Sequence, residues 1–312
     1  MMDPDWDYDS DHVMASAALR ASTLSGMNAT ARRQWKEDEG TRWLAWNELP
    51  APDKRKRIRA LRLRVDYGER NVTYPTAIAK LPLEYLSLPL GLASKLAQKD
   101  LPSSLRALSF DESPALATAA RIPTELVLPN VEQVSSKVGA LSFARTSLPK
   151  LRSVSLALPP RSKMPDVLAS YAKLSEVDVG PIHEPAQLAF LEQVGVETLS
   201  VVGGKLQTLS GFERLRKVKH LTLKSLAKLD DISSITALPK LRTIWIKYCG
   251  ALKDLEPLLA VKTLREINVV SCKSIDLARV AKELKSKRFE RVAVTGRRHL
   301  YRDGKDWVEK LR

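Results

Sequence analysis

Apolar residues recur along the chain in the short pattern apolar-x-x-apolar-x-apolar. The clearest copies are Leu151/Val154/Leu156, Leu174/Val177/Val179, Val196/Leu199/Val201, Val218/Leu221/Leu223, Leu241/Ile244/Ile246, Leu264/Ile267/Val269 and Phe289/Val292/Val294. Their central residues, 154, 177, 199, 221, 244, 267 and 292, are separated by 23, 22, 22, 23, 23 and 25 positions. A fixed period of this size marks a stacked repeat. The fourth and sixth positions of each copy are two apart and share one face of a strand, which leaves the residues between them on the other face.

Between the strands, apolar residues fall at every third position. One run is Leu206, Leu209, Phe212, Leu215, Val218; the next is Leu226, Leu229, Ile232, Ile235, Leu238, Leu241; a third is Cys249, Leu252, Leu255, Leu258, Val261, Leu264. A period of three fits neither an α-helix nor a strand and predicts a 3-10 or polyproline-like return with one buried side. Pro185–Val194 and Ile275–Leu284 read instead as helical returns, the first opening on a proline.

The stretch LRTIWIKYCGALKDLEPLLAVKT resembles one full repeat of the short bacterial leucine-rich type. In that family the third position after the last strand leucine is Asn or Cys, and Cys249 and Cys272 stand there one repeat apart. The resemblance implies an α/β solenoid, with a parallel sheet on a concave ligand-binding face and short irregular, 3-10 or helical returns on the convex face.

The first half is less regular. Candidate strands centre on Leu61, Leu86, Leu108, Leu126, Leu141 and Val154, with gaps of 25, 22, 18, 15 and 13. This gives about twelve repeats in all. Because a solenoid exposes its core at both ends, the ends read as caps. The expected organisation is an acidic tail and helical N-terminal cap over 1–57, the solenoid over 58–295, and a basic C-terminal cap or tail over 296–312. The helical reading of 13–49 rests on Trp35, Trp43, Leu44 and Trp46.

Charge adds a direction. The chain carries a net +15, yet residues 1–50 hold 5 Lys/Arg against 9 Asp/Glu, whereas residues 203–312 hold 26 against 12. The positive excess lies in the last third, which favours an acidic partner surface or nucleic acid. Two cysteines in 312 residues suit a reducing compartment, and no apolar run approaches a membrane span. The expected location is cytoplasmic, with export lacking a cleaved signal left open.

A search for chemistry returns no assignment. The four histidines have no zinc-ligand spacing, there is no Cys-x-x-Cys, and Val202-Gly203-Gly204-Lys205 reads as a turn rather than a phosphate loop. No catalytic, cofactor or metal residue is expected, and the chain reads as a non-enzyme. Cys249 and Cys272 read as buried turn residues sharing one repeat register.

What remains is a surface. The outward positions of the strands place Lys219, His220, Lys224, Arg242, Trp245 and Lys247 on two adjacent strands, with Tyr248 just beyond, and Arg265 and Arg291 continuing the strip. Glu176, Asp178 and Glu197 precede it as an acidic step. A tryptophan among arginines and lysines has the composition of an interface anchor. The expected partner is another protein with an acidic surface. A nucleic-acid partner is the alternative, supported by the basic third and by the run Lys54–Arg57 continued by Arg59, Arg62 and Arg64.

Overall fold

The computed structural model of the chain describes residues 43–44, 59–63, 74, 76–111, 119–285, 289–295, 298–303 and 306–311. These residues belong to two compact units, Met1–Ala157 and Leu158–Arg312.

In the first unit, β1 (Trp43–Leu44), β2 (Ala60–Leu63), β3 (Tyr85–Pro89), β4 (Ala107–Asp111), β5 (Ala119–Arg121), β6 (Gln133–Ser142) and β7 (Ser153–Ala157) form parallel pairs. The main path runs β1-β2-β3-β4-β6-β7, with β5 paired to the distal half of β6. Leu61, Leu86, Leu108, Val134 and Val154 lie side by side in register and are buried. On the other face Ser87, Ser109, Ser135 and Ser155 form a row of small hydroxyl residues.

This register corrects the sequence reading. The fourth full strand centres on Val134, so successive gaps are 25, 22, 26 and 20 rather than shrinking to 13. Leu126 and Leu128 are buried but belong to the return between strands, and Leu141 lies on the distal half of β6 against β5. The true strand escaped notice because its sixth position is Ser136. That buried hydroxyl is satisfied by donating to the carbonyl of Gly139, 2.9 Å away, so a polar residue stands where the pattern demands an apolar one. The helical reading of 13–49 lies outside the described residues except at Trp43–Leu44, which pair as a short strand.

In the second unit, β8 (Glu176–Gly180), β9 (Thr198–Val202), β10 (His220–Lys224), β11 (Thr243–Lys247), β12 (Glu266–Val270) and β13 (Arg291–Thr295) are parallel and in order. Two buried rows run across them: Val177, Leu199, Leu221, Ile244, Ile267, Val292, and Val179, Val201, Leu223, Ile246, Val269, Val294. Burying one such side chain contributes about 1.5–3 kcal/mol, so every added repeat stabilises its neighbours through the rows. The unit ends in a reversal of direction: β14 (Arg298–Asp303) pairs antiparallel with β13, and β15 (Asp306–Leu311) pairs antiparallel with β14.

The strands end by one device. Gly203, Ser225, Tyr248 and Ser271, one repeat apart, all have positive φ, between 55° and 72°. This left-handed residue turns the chain off the sheet, and its N–H still reaches the next repeat. Gly203 donates to the carbonyl of Lys224 (2.7 Å), Ser225 to Lys247 (2.8 Å) and Tyr248 to Val270 (3.0 Å). The Gly203–Gly204 segment is therefore a turn, and a side chain on Gly204 would collide with the carbonyl of Ile182.

The returns carry the period-three core, and every residue of the three runs named above is buried. Two of the returns are 3-10, Phe212–Arg214 and Ser233–Ala237. The third contains a single α turn, α2 (Glu256–Ala260), which follows α1 (Met164–Ala169) in the chain. The Pro185–Glu192 segment is 3-10 rather than α-helical. Within Ile275–Leu284, a 3-10 turn at Leu277–Arg279 leads into α3 (Ala281–Leu284). Parallel strands stacked one per repeat, with short 3-10 and α returns, make this an α/β leucine-rich-repeat fold. Among the described residues, no helix is long and apolar enough to cross a membrane.

Candidate functional site

Alternation along β10 and β11 fixes what each strand offers. Leu221, Leu223, Ile244 and Ile246 point to the core, which leaves His220, Thr222, Lys224, Thr243, Trp245 and Lys247 on the open face of the sheet. In register, His220 lies beside Thr243, Thr222 beside Trp245, and Lys224 beside Lys247. Neighbouring strands are about 4.8 Å apart, so these side chains share one small area. Lys219 and Arg242 stand just ahead of the two strands. Arg242 is exposed, and its N–H donates to the carbonyl of Lys219 (2.8 Å).

Trp245 is half-buried, and the Lys247 ammonium lies 5.3 Å from the centre of its ring. Lys247 departs from the sequence reading, which had it as an exposed cation. It lies on the expected face but is only 3% exposed. In register it lies beside Lys224, with its ammonium over the indole.

Two further expected members sit differently. The Arg265 guanidinium folds back and donates to the carbonyls of Lys262 and Leu264, both at 3.0 Å, so it closes its own turn. Arg291 is exposed at the start of β13, but Glu266 lies in register between it and Thr243. The cationic patch is therefore concentrated on β10 and β11. Tyr248 is half-buried at the left-handed exit of β11.

Upstream, the face changes sign. Glu176 and Asp178 lie on β8, and Asp178 is 3% exposed. Glu197 accepts a bond from the Lys219 ammonium at 2.9 Å, and this contact holds its carboxyl below the usual carboxylate range. Burial holds His220 below its ordinary value of 6.5, against the opposing pull of Glu266.

Two polar atoms on this face are buried without a partner: Oγ of Ser200 on β9 and Oδ1 of Asn268 on β12. Asn268 lies in register beside Trp245. An unsatisfied buried polar atom costs about 1–3 kcal/mol. The motif alone leaves these two among many variable positions. Strand register is what sets Asn268 next to the indole.

The thiols of Cys249 and Cys272 are fully buried and form no disulfide. Each points at strand-end carbonyls, Cys249 Sγ at those of Lys247 (3.5 Å) and Leu223 (3.8 Å), and Cys272 Sγ at those of Val270 (3.5 Å) and Ile246 (3.9 Å). The neighbouring Cys272 thiol, together with burial, pushes the Cys249 thiol up. Among the described residues no group of three or more His, Cys, Asp or Glu is placed to hold a metal ion. Of the basic run near residue 60, Arg59 is held by the carbonyl of Pro82 (3.2 Å) and by Glu84 (3.9 Å). Lys54–Arg57, Arg64 and the Arg62 side chain lie outside the described residues.

No protein-family model matches the sequence, and no curated protein matches it. Among solved structures, the chain is similar to an internalin (InlF) of Listeria monocytogenes at 14% identity and a TM-score of 0.44, over 69% of this chain and 61% of that one. The chain thus spans about three fifths of the length of that internalin. Internalin C2 of the same organism is similar at 18% identity and a TM-score of 0.42, over 62% of this chain and 88% of that one. The leucine-rich-repeat domain of the type III effector XopL is similar at 16% identity and a TM-score of 0.26, over 89% and 84%.

Proposed function

We propose that this leucine-rich-repeat chain is a protein-interaction module whose open face on the second unit receives a folded partner with an acidic surface. The observation that supports the reading is the half-buried Trp245, set among the cations of β10 and β11. Aromatic anchors surrounded by charge dominate binding energy at protein interfaces, and a complementary field raises association rate and selectivity. The module acts without catalysis, as a toxin-neutralising or effector-type protein does, and its two free cysteines suit a cytoplasmic setting.

The test is quantitative capture from native cell extract by the full chain and by its Arg242→Ala/Trp245→Ala variant, at 50 and 200 mM salt. Two hot-spot losses of about 2 kcal/mol each predict a drop of several hundredfold. Full retention by the double variant overturns the reading. A captured species that proves to be nucleic acid, with affinity collapsing by about 10³–10⁵ between the two salts, replaces it with the nucleic-acid alternative.

A further inference from the structure

The cationic surface continues onto the edge of the sheet where the chain turns into each strand of the second unit. Four positions before the central core residue, register aligns Lys173, Gly195, Lys217, Lys240 and Thr263. Lys173, Lys217 and Lys240 are exposed, as are Arg216 and Lys262 beside the row. Gly195 interrupts the row where a lysine would continue it. Gly195 lines a notch of about 420 Å³ together with Arg214, Arg216 and Lys217.

The cations converge on the notch. A Cβ built on Gly195 would lie 3.2 Å from the Lys217 ammonium, so that amine leans over the glycine into the space a side chain would occupy. Arg214 is steadied at the rim by Glu192 at 3.1 Å. Three cations against one carboxylate leave an excess of positive charge. The wall behind them is Leu191, Val194, Val196 and Leu215.

We infer that the notch receives one carboxylate side chain of an extended acidic peptide segment, whose flanking carboxylates lie along Lys173 and Lys240. The inference deepens the proposed function and rests on its acidic-partner reading. Successive repeats are spaced by about 4.8 Å and alternate residues of an extended peptide by about 6.8 Å, so the peptide's carboxylates fall within reach of successive cations. A peptide is favoured over single-stranded nucleic acid because base binding depends on aromatic stacking platforms, and no aromatic residue lines the notch.

The experiment uses the full chain and a fluorescein-labelled peptide of ten glutamates, titrated by fluorescence anisotropy at low salt. Arg216→Glu/Lys217→Glu is expected to weaken binding at least tenfold. Gly195→Lys adds a positive charge but fills the notch, and is expected to weaken binding about tenfold. The clash it creates is with the far end of a flexible lysine, so the fold tolerates it. Gly195→Ala, which adds only a methyl group, is expected to give a smaller loss and serves if the lysine variant misfolds. Equal or tighter binding by Gly195→Lys shows diffuse charge attraction only and overturns the site. A ten-nucleotide single strand that outcompetes the peptide at equal charge overturns the choice of ligand. The two readings fail separately, because capture from extract substitutes only Arg242 and Trp245, and this titration only Gly195, Arg216 and Lys217.

Discussion

Lys247 holds its ammonium over the face of Trp245, 5.3 Å from the ring centre, from two positions further along the same strand. The lysine is buried and the indole half-buried, so in the proposed interface the pair would present a preorganised aromatic surface. A cation over an indole contributes about 0.5–2 kcal/mol. Preorganisation of this kind lowers the cost of ordering an interface.

Replacing Lys247 by methionine keeps the stem and removes the ammonium. The Trp245 indole N–H resonance is expected to shift and broaden, and partner affinity to fall by about 2- to 30-fold, the equivalent of that cation–π range. Lys247→Arg should restore both. An unchanged resonance together with unchanged affinity in the methionine variant would remove Lys247 from the anchor.

The depressed His220 gives a pH dependence with a definite sign. Burial favours its neutral form in the folded chain, so the unfolded chain takes up the proton first as pH falls. The stability contributed by neutral His220 is complete above 6.5 and is lost as pH drops from there through the lower folded value. Urea midpoints between pH 7.5 and 5 should fall, and the slope should lessen in His220→Gln. Binding should move the other way, because an acidic partner stabilises the imidazolium. Affinity measured by calorimetry should rise on acidification in the native chain and stay flatter in the glutamine variant.

Ser225 occupies the left-handed exit of β10 with φ 55°. Glycine adopts this conformation at no steric cost and a β-branched residue adopts it poorly. Ser225→Gly is expected to raise unfolding free energy by up to about 1 kcal/mol, and Ser225→Val to lower it by about 1–3 kcal/mol. Denaturant unfolding monitored by circular dichroism decides this, and a valine variant as stable as the native chain would show that the turn relaxes elsewhere.

Cys249 and Cys272 are fully buried, so neither sulfur is reachable from solvent in the folded chain. The folded chain should react with a thiol reagent such as DTNB only as fast as it opens, and two thiols should titrate at once in guanidinium. Rapid modification of either cysteine in the native chain would show that the turn beneath the sheet is open to solvent.

Much of this architecture was legible because a repeat is a local property. Leucines at fixed spacing bury themselves in the same place in every copy, so the rows through Leu221 and Ile244, the period-three returns and the turn role of the two cysteines follow from order alone. The pattern failed where a polar residue met its own partner. Ser136 satisfied itself on Gly139, which hid the strand at Val134 and let Leu126 and Leu141 pass for strands.

The site depended on more than order. That Trp245, His220 and the lysines lie outward follows from alternation along a strand. The burial of Lys247, the placing of Asn268 beside the indole, and the notch at Gly195 each depend on what the adjacent repeat contributes. Spacing along the chain fixes which face a side chain takes. Only packing between strands fixes how deeply it is covered and which side chain lies beside it, because the residues of the adjacent strand lie more than twenty positions away in sequence.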